Sequence, residues 1–204
     1  MINTKNVIFT CLLFLMASSV QAQGEVNIIP QPQEVTINEG SFTIDAQTKI
    51  YFQSENQTIA RQLQQYIGDG LKEVIELVET KKGKNDILFK KNDDLGKEAY
   101  ELMVSKKGIS IVASGTTGWF YGMQSLKQLF PEEFILEGQK VNTVDIAGIE
   151  IKDAPRFPWR AFMLDESRFF KGKKQVKMLL DEMAALKMNI FHWHLVDDQG
   201  WRIE

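Results

Sequence analysis

The pattern of hydrophobic and polar residues changes twice between residues 156 and 204. Residues 161–164 form a short apolar run, typical of a strand that is buried on both faces. From Lys174 onward, apolar residues recur every three or four positions, which predicts an amphipathic helix. The residues on this apolar face are Val176, Leu179, Leu180, Met183, Ala184 and Met188. Residues 189–196 are extended again, so the segment predicts one β-α-β unit.

Both predicted strands end in charged residues: Asp165, Glu166 and Arg168 follow the first, and Asp197, Asp198 and Arg202 follow the second. In a parallel α/β sheet or barrel, the carboxyl ends of neighbouring strands lie side by side on the face that carries the site. We therefore expect Arg168 and Asp197 to come together, although they are far apart in the sequence.

Residues 23–153 have the pattern of a separate α+β domain. The apolar spacing from Ile59 to Val78 predicts a helical stretch that Gly68 and Gly70 interrupt, as two helices or as one helix with a break. Short β-like runs are predicted at residues 41–44, 49–52, 86–90, 100–104, 108–113 and 144–151. Gly108 supplies the turn residue of an antiparallel hairpin.

A second helix is predicted from Thr116 or Thr117, either of which suits its N-cap, to Leu129, and Pro131 stops it. Gly115 and Gly118, at the start of this helix, have the spacing G-T-T-G, but the lysine and the other glycines of a phosphate-binding loop are missing. We therefore interpret these glycines as a helix start with close packing.

Composition and the amino terminus narrow the classes of function. The 204 residues include 24 basic and 27 acidic ones, which gives no basic footprint for a nucleic acid. Residues 1–22 have a basic start, a short apolar run and a small-residue cleavage site, as in a secretory signal peptide. We expect export to the periplasm, the cell surface or the medium, and no membrane span in the mature chain. Cys11, the only cysteine, would leave with the signal, so no disulfide is expected.

Three segments carry a resemblance to a known family: GTTGWFYGMQSLKQL, DAPRFPWRAFMLDESRFF and KMNIFHWHLVDDQGWRIE. Together they resemble the start of a family 20 glycoside hydrolase, a β-N-acetylhexosaminidase. The resemblance implies a non-catalytic α+β domain at residues 23–153, followed at residues 154–204 by the first β-α-β unit of an incomplete TIM barrel.

The resemblance also implies an activity: hydrolysis of terminal N-acetylglucosamine or N-acetylgalactosamine by substrate-assisted retaining catalysis, without a cofactor. The catalytic Asp-Glu pair of such enzymes is expected beyond Glu204, so residues 1–204 alone are expected to be inactive.

Two site residues follow from the resemblance. Arg168 matches an arginine that binds hydroxyls of the terminal sugar, and Asp197 matches a carboxylate that holds the site together and pairs with a later histidine. Phe169 stands where the family commonly has histidine, which affects the local hydrogen bonding. The alternatives are a structural ion pair of Arg168 with its acidic neighbours and a turn-capping role for Asp197 or Asp198.

Two other functions stay open on the sequence alone. His192 and His194 are two apart on a strand and point to one side, so they are candidate ligands of a metal-dependent barrel hydrolase. The second alternative is a non-catalytic carbohydrate-binding remnant. Core positions are predicted for Trp159 and Trp193, whereas Trp201 suits the core and sugar stacking equally.

Overall fold

The computed structural model describes residues 26–80, 83, 85–135 and 140–198. The predicted signal peptide, Trp201 and Arg202 lie outside the described residues. Within them, seven strands form one mixed sheet in the order β1-β7-β5-β6-β4-β2-β3. The strands are β1 (Glu34–Ile44), β2 (Lys49–Phe52), β3 (Glu76–Glu79), β4 (Ile87–Lys91), β5 (Tyr100–Ser105), β6 (Gly108–Ala113) and β7 (Val144–Asp153).

The pairing directions divide this sheet into two halves. Strands β1, β7, β5 and β6 are antiparallel neighbours, whereas β6, β4, β2 and β3 run parallel to one another. The predicted hairpin is confirmed as β5 and β6, where Ser105 pairs with Gly108 and Gly108 has a positive φ of 142°. A φ in this range is readily adopted only by glycine.

Helices α1 (Gln57–Gly70) and α2 (Thr116–Lys127) pack against the sheet and against each other, and a short helix α3 (Glu132–Ile135) follows. Side chains on the sheet alternate between buried and more exposed positions, as expected for a sheet with one covered face. The core between helices and sheet includes Ile50, Leu63, Ile67, Ile87, Leu102, Ile111, Trp119, Leu126 and Ile151.

The prediction that the first helical stretch continues to Val78 is wrong. Helix α1 ends at Gly70, Leu71 is already extended, and Val78 lies in β3, which pairs in parallel with β2. A Cβ atom at Gly70 would lie 2.5 Å from the ring of Phe134, so the close approach of that ring requires glycine. The spacing of apolar residues up to Val78 is compatible with a helix, but a β-branched residue such as Val78 in so short an apolar run is equally compatible with a strand.

The cap predicted for helix α2 is also wrong, because Gly115 is the N-cap residue and no side chain forms the cap hydrogen bond. The predicted close packing is confirmed. A Cβ atom at Gly118 would lie 2.4 Å from the carbonyl oxygen of Ala99, so helix α2 touches the backbone next to β5.

The predicted β-α-β unit is confirmed by strand β8 (Ala161–Asp165), helix α4 (Lys173–Ala185) and strand β9 (Ile190–His194). The two strands are parallel neighbours. The predicted burial of the first strand on both faces is wrong, since Phe162 and Met163 are exposed. Core positions for Trp159 and Trp193 are likewise wrong, because the two side chains are 70% and 46% exposed.

No helix in the described ranges is long and apolar enough to cross a membrane.

A polar interface joins the β-α-β unit to the seven-stranded sheet. Arg160, just before β8, donates from Nη2 to Glu98 Oε1 at 2.8 Å and to the Tyr121 hydroxyl at 2.6 Å. Its Nε donates to the carbonyl oxygen of Lys187 at 2.8 Å. One guanidinium therefore fixes the start of β8 against the loop before β5, against helix α2 and against the turn that precedes β9.

Lys187 forms the second part of this interface. It follows helix α4 with a positive φ of 57°, a conformation that is uncommon outside glycine, and its side chain is 5% exposed. The ammonium donates to the Tyr100 hydroxyl at 2.8 Å and to Asp153 Oδ2 at 3.1 Å. Burial lowers the pKa of Lys187, and the Asp153 carboxylate opposes that change. The lysine therefore depends on its two partners in the amino-terminal sheet.

Glu98→Gln is expected to destabilise the protein at neutral pH by about 1–2 kcal/mol, because the hydrogen bond from Arg160 loses its anionic acceptor. That hydrogen bond holds the pKa of Glu98 below its ordinary value of 4.5. A lowered carboxylate pKa contributes stability above the ordinary value, and this contribution is lost as the pH falls through the lowered value.

The difference between wild type and Glu98→Gln should therefore shrink on going from about pH 7 to about pH 3, as measured by urea unfolding. Glu76→Gln, which breaks an exposed pair with Lys49, is the matched control and should cost little at either pH. A Glu98→Gln difference that stays constant with pH would contradict the assignment.

Candidate functional site

The carboxyl ends of β8 and β9 meet at one edge, and the predicted site residues lie there. The parallel register pairs Ala161 with Ile190 and continues to Asp165 opposite His194. Arg168 lies three residues after the end of β8, and Asp197 lies three residues after the end of β9. Both residues therefore follow the same strand edge, as expected, but no direct contact joins the described atoms of Arg168 and Asp197.

Asp165 organises the turn after β8. Its Oδ1 accepts hydrogen bonds from the Ser167 amide at 3.0 Å, the Ser167 hydroxyl at 2.8 Å and the Arg168 amide at 3.1 Å. The Arg168 amide, followed by the Ser167 hydroxyl, holds the pKa of Asp165 below its ordinary value. Asp165 is therefore a carboxylate at neutral pH, and its task in the described structure is to shape the backbone that carries Arg168.

The guanidinium of Arg168 remains open to solvent. Its Nε lies 3.8 Å from Asp165 Oδ2, and the side chain is 83% exposed. So long and exposed an ion pair contributes little stability. The structural ion pair considered from the sequence is therefore present but weak, and the fork of guanidinium donors is available for a planar or vicinal acceptor.

Asp197 is held by side chains from both strand ends. Its Oδ1 lies 3.1 Å from His194 Nε2, and its Oδ2 lies 3.1 Å from the Ser167 hydroxyl. Because a hydroxyl has one proton, Ser167 donates at any moment either to Asp165 or to Asp197. Arg168 and Asp197 are linked through this network rather than by a direct contact between their described atoms. The described partners of Asp197 are side chains, which does not favour the capping role.

The histidine pair does not form a recognisable metal centre. The rings of His192 and His194 have centroids 6.5 Å apart, and His194 is engaged with Asp197. In the part of the chain that the structure describes, no group of three or more His, Cys, Asp or Glu residues could hold a metal ion. The geometry therefore gives the metal-dependent hydrolase no support.

Sequence reasoning missed two residues that shape this edge. Ser167 connects the turn after β8 with Asp197. Glu166, which belongs to the charged residues after the first strand, is 1% exposed. The spacing Asp-x-Ser in residues 165–167 is a signal for the first, since aspartate followed by serine favours a turn with side-chain hydrogen bonds. No pattern in the sequence distinguishes Glu166 from its exposed neighbours.

Comparison with models of protein families shows to which family the chain belongs. The family model described as glycosyl hydrolase family 20, domain 2, matches residues 25–154, and the model of the catalytic domain of the same family matches residues 157–204. The chain belongs to glycosyl hydrolase family 20. It contains an amino-terminal domain of this family and the start of its catalytic domain.

Individual family 20 relatives agree with this assignment. A beta-hexosaminidase of Porphyromonas gingivalis is 39% identical over 207 residues, which cover 95% of this chain and 26% of the relative. The crystal structure of an exo beta-N-acetylglucosaminidase from Vibrio harveyi in complex with N-acetylglucosamine has a TM-score of 0.73 at 32% identity and covers 87% of this chain. A mutant beta-hexosaminidase of Streptomyces plicatus in complex with its product GlcNAc has a TM-score of 0.78 at 31% identity and covers 86% of this chain.

The chain spans only part of these family 20 proteins. It covers 26% of the Porphyromonas and Vibrio proteins and 35% of the Streptomyces protein. The family resemblance stated from the sequence is therefore confirmed for the amino-terminal part of such enzymes.

Proposed function

We propose that the protein is the leading part of an exported, exo-acting β-N-acetylhexosaminidase. It serves the removal of terminal N-acetylglucosamine or N-acetylgalactosamine by the substrate-assisted, retaining reaction that the family resemblance implies. Arg168 and Asp197 are the substrate-binding residues of this chain. The proposal assigns no catalytic residue and no metal or cofactor to residues 1–204.

The observation that carries this proposal is the exposed guanidinium of Arg168 on the carboxyl edge that also holds Asp197. A guanidinium presents a fixed fork of donors, which matches two neighbouring sugar hydroxyls. Asp197 supplies an acceptor whose position is set by His194 and Ser167. Two relatives with similar folds were crystallised with N-acetylglucosamine, which supports the same class of ligand here.

The proposal includes the architecture of the second domain. Strands β8 and β9 with helix α4 are the first β-α-β unit of a TIM barrel that begins near residue 154, after a non-catalytic domain of residues 23–153. The parallel strands, the exposed apolar side chains of this unit and the match of residues 157–204 to a catalytic domain support this assignment. Residues 1–22 act as the export signal in this proposal, and their composition is the support for it.

The test is hydrolysis of a chromogenic N-acetyl-β-glucosaminide by the product of the complete reading frame. We expect turnover by that product and none by a chain ended after Glu204, because a barrel of this type takes about 250 residues. Absence of turnover by the complete product would overturn the proposed activity. Turnover by residues 1–204 alone would show that these residues contain the catalytic groups, which the proposal places outside them.

In the same assay, Arg168→Ala is expected to lower kcat/KM by about 100-fold, since two hydrogen bonds from the charged guanidinium to sugar hydroxyls are lost. Arg156→Ala is the matched control, because Arg156 is exposed and lies before β8, away from the carboxyl edge. Equal effects of the two substitutions would remove Arg168 from the sugar site.

A further inference from the structure

Glu166 is a buried carboxyl group that no step above uses. It directly follows β8, and only 1% of its surface is exposed. A buried carboxylate is costly unless hydrogen bonds or an ion pair compensate for the loss of water. Glu166 makes no ion pair with any described residue. Its Oε1 instead accepts a hydrogen bond from the backbone amide of Lys171 at 2.8 Å.

This hydrogen bond closes a loop around Arg168. The carboxylate belongs to the first residue of the segment 166–171, and the amide that it binds belongs to the last. The backbone amide of Glu166 also donates to the carbonyl oxygen of His194 at 2.8 Å, which ties the loop to the end of β9. One residue therefore contacts both the far end of the loop and the neighbouring strand.

The loop has little other support from burial. Arg168 and Phe169 are exposed, so their side chains contribute little hydrophobic packing against the two strands. Asp165 holds the beginning of the loop through the amides of Ser167 and Arg168. The contact between Glu166 and Lys171 holds its end. Without it, the backbone of residues 169–171 gains freedom, and the backbone of Arg168 is then fixed from one side only, by Asp165.

We propose that Glu166 is a positioning residue that fixes the Arg168 loop for binding of the terminal sugar. The inference rests on the proposed function, because it assumes that Arg168 contacts the sugar. The side-chain oxygen of Glu166 acts as an acceptor for a backbone amide, and its charge is not required for that task. A neutral side chain of the same shape with an oxygen in the same place therefore serves equally well.

The test compares Glu166→Gln and Glu166→Leu in the product of the complete reading frame. Glutamine keeps an oxygen acceptor for the Lys171 amide, whereas leucine has a similar volume and no acceptor. For Glu166→Leu we expect KM for the chromogenic N-acetyl-β-glucosaminide to rise about tenfold with a change in kcat below about threefold. Glu166→Gln should remain within about twofold of wild type in both constants. Glu182→Leu, at an exposed position of α4, is the matched control.

A second readout does not depend on activity. Hydrogen exchange at the Lys171 amide should be at least about tenfold faster in Glu166→Leu than in wild type or Glu166→Gln, while the amides of β5 and β6 keep their protection. If Glu166→Leu does not fold, Lys171→Pro deletes the same hydrogen bond from the donor side and should raise KM likewise.

The outcomes separate this inference from the proposed function. Unchanged exchange at Lys171 in Glu166→Leu overturns the loop contact. Faster exchange without a change in KM, in a protein where Arg168→Ala does lower kcat/KM, overturns the positioning role and leaves the proposed function intact. If Arg168→Ala has no effect, the sugar site itself is wrongly assigned, and the positioning role falls with it.

Discussion

Asp153→Ala is expected to lower the free energy of unfolding by about 3–5 kcal/mol, because it leaves a charged amine buried without its counterion. Asp153 Oδ2 accepts hydrogen bonds from Lys187 at 3.1 Å and from the Tyr100 hydroxyl at 2.9 Å. The Lys187 side chain is almost fully buried, so bulk solvent compensates little for the lost carboxylate. The urea midpoint followed by tryptophan fluorescence measures the effect.

The matched control for Asp153→Ala is the double variant Asp153→Ala with Lys187→Met. Replacing both charges by apolar groups removes the unpaired amine, so the double variant should be more stable than Asp153→Ala alone by about 2 kcal/mol or more. Breaking the exposed pair of Lys49 and Glu76 should change the free energy of unfolding little. A double variant no more stable than Asp153→Ala would show that the buried pair is not the source of the loss.

The buried pair of Lys187 and Asp153 shows why part of the fold cannot be predicted from the sequence. A lysine just after a helix is expected to reach solvent, where it interacts favourably with the last carbonyl groups. Lys187 is buried because Tyr100 and Asp153, which are 87 and 34 residues away, receive its ammonium. Contacts over such separations depend on how the two units dock, and no local pattern encodes them.

The local elements were predictable wherever the pattern had one interpretation. The runs at residues 49–52 and 108–113 coincide with β2 and β6, because alternating apolar residues between turns favour a strand. The region around Val78 was not predictable in this way, since its apolar spacing suits both a helix and a strand. The order in which the strands pair in the sheet was also not predictable from the sequence. Strand β1 lies beside β7 at the edge of the sheet, although β2 follows it in the chain.

The location of the candidate site at the carboxyl ends of two neighbouring strands was predicted from the sequence, but its hydrogen bonds were not. Arg168 and Asp197 follow neighbouring parallel strands, and topology alone brings such residues to one side. The connection through Ser167 depends on the turn that Asp165 shapes. The burial of Glu166 depends on the path of the loop back to Lys171. The turn itself has a signal in the Asp-x-Ser spacing. The contact of Ser167 with Asp197 and the burial of Glu166 are consequences of backbone geometry that residue types alone do not specify.

Gly118→Ala is expected to destabilise the protein by about 3 kcal/mol through overpacking. An added Cβ atom would lie 2.4 Å from the carbonyl oxygen of Ala99 and 2.7 Å from the Cβ atom of Ala113. The first of these neighbours is backbone and cannot rotate away, so helix α2 must move from the sheet. That movement would disturb Trp119, which is buried and donates from Nε1 to the carbonyl oxygen of Lys90 at 2.8 Å.

Gly68→Ala is the matched control for this effect, because nothing lies within 4 Å of its added Cβ atom. Gly68 lies inside helix α1, where alanine is favoured over glycine, so this substitution should stabilise the protein by about 0.5–1 kcal/mol. The same chemical change is thus expected to have opposite signs at two helical positions, as measured by the urea midpoint. Stabilisation by Gly118→Ala would mean that the helix and the sheet are farther apart than the distances at Ala99 and Ala113 require. Destabilisation by Gly68→Ala would place an unrecognised neighbour beside α1.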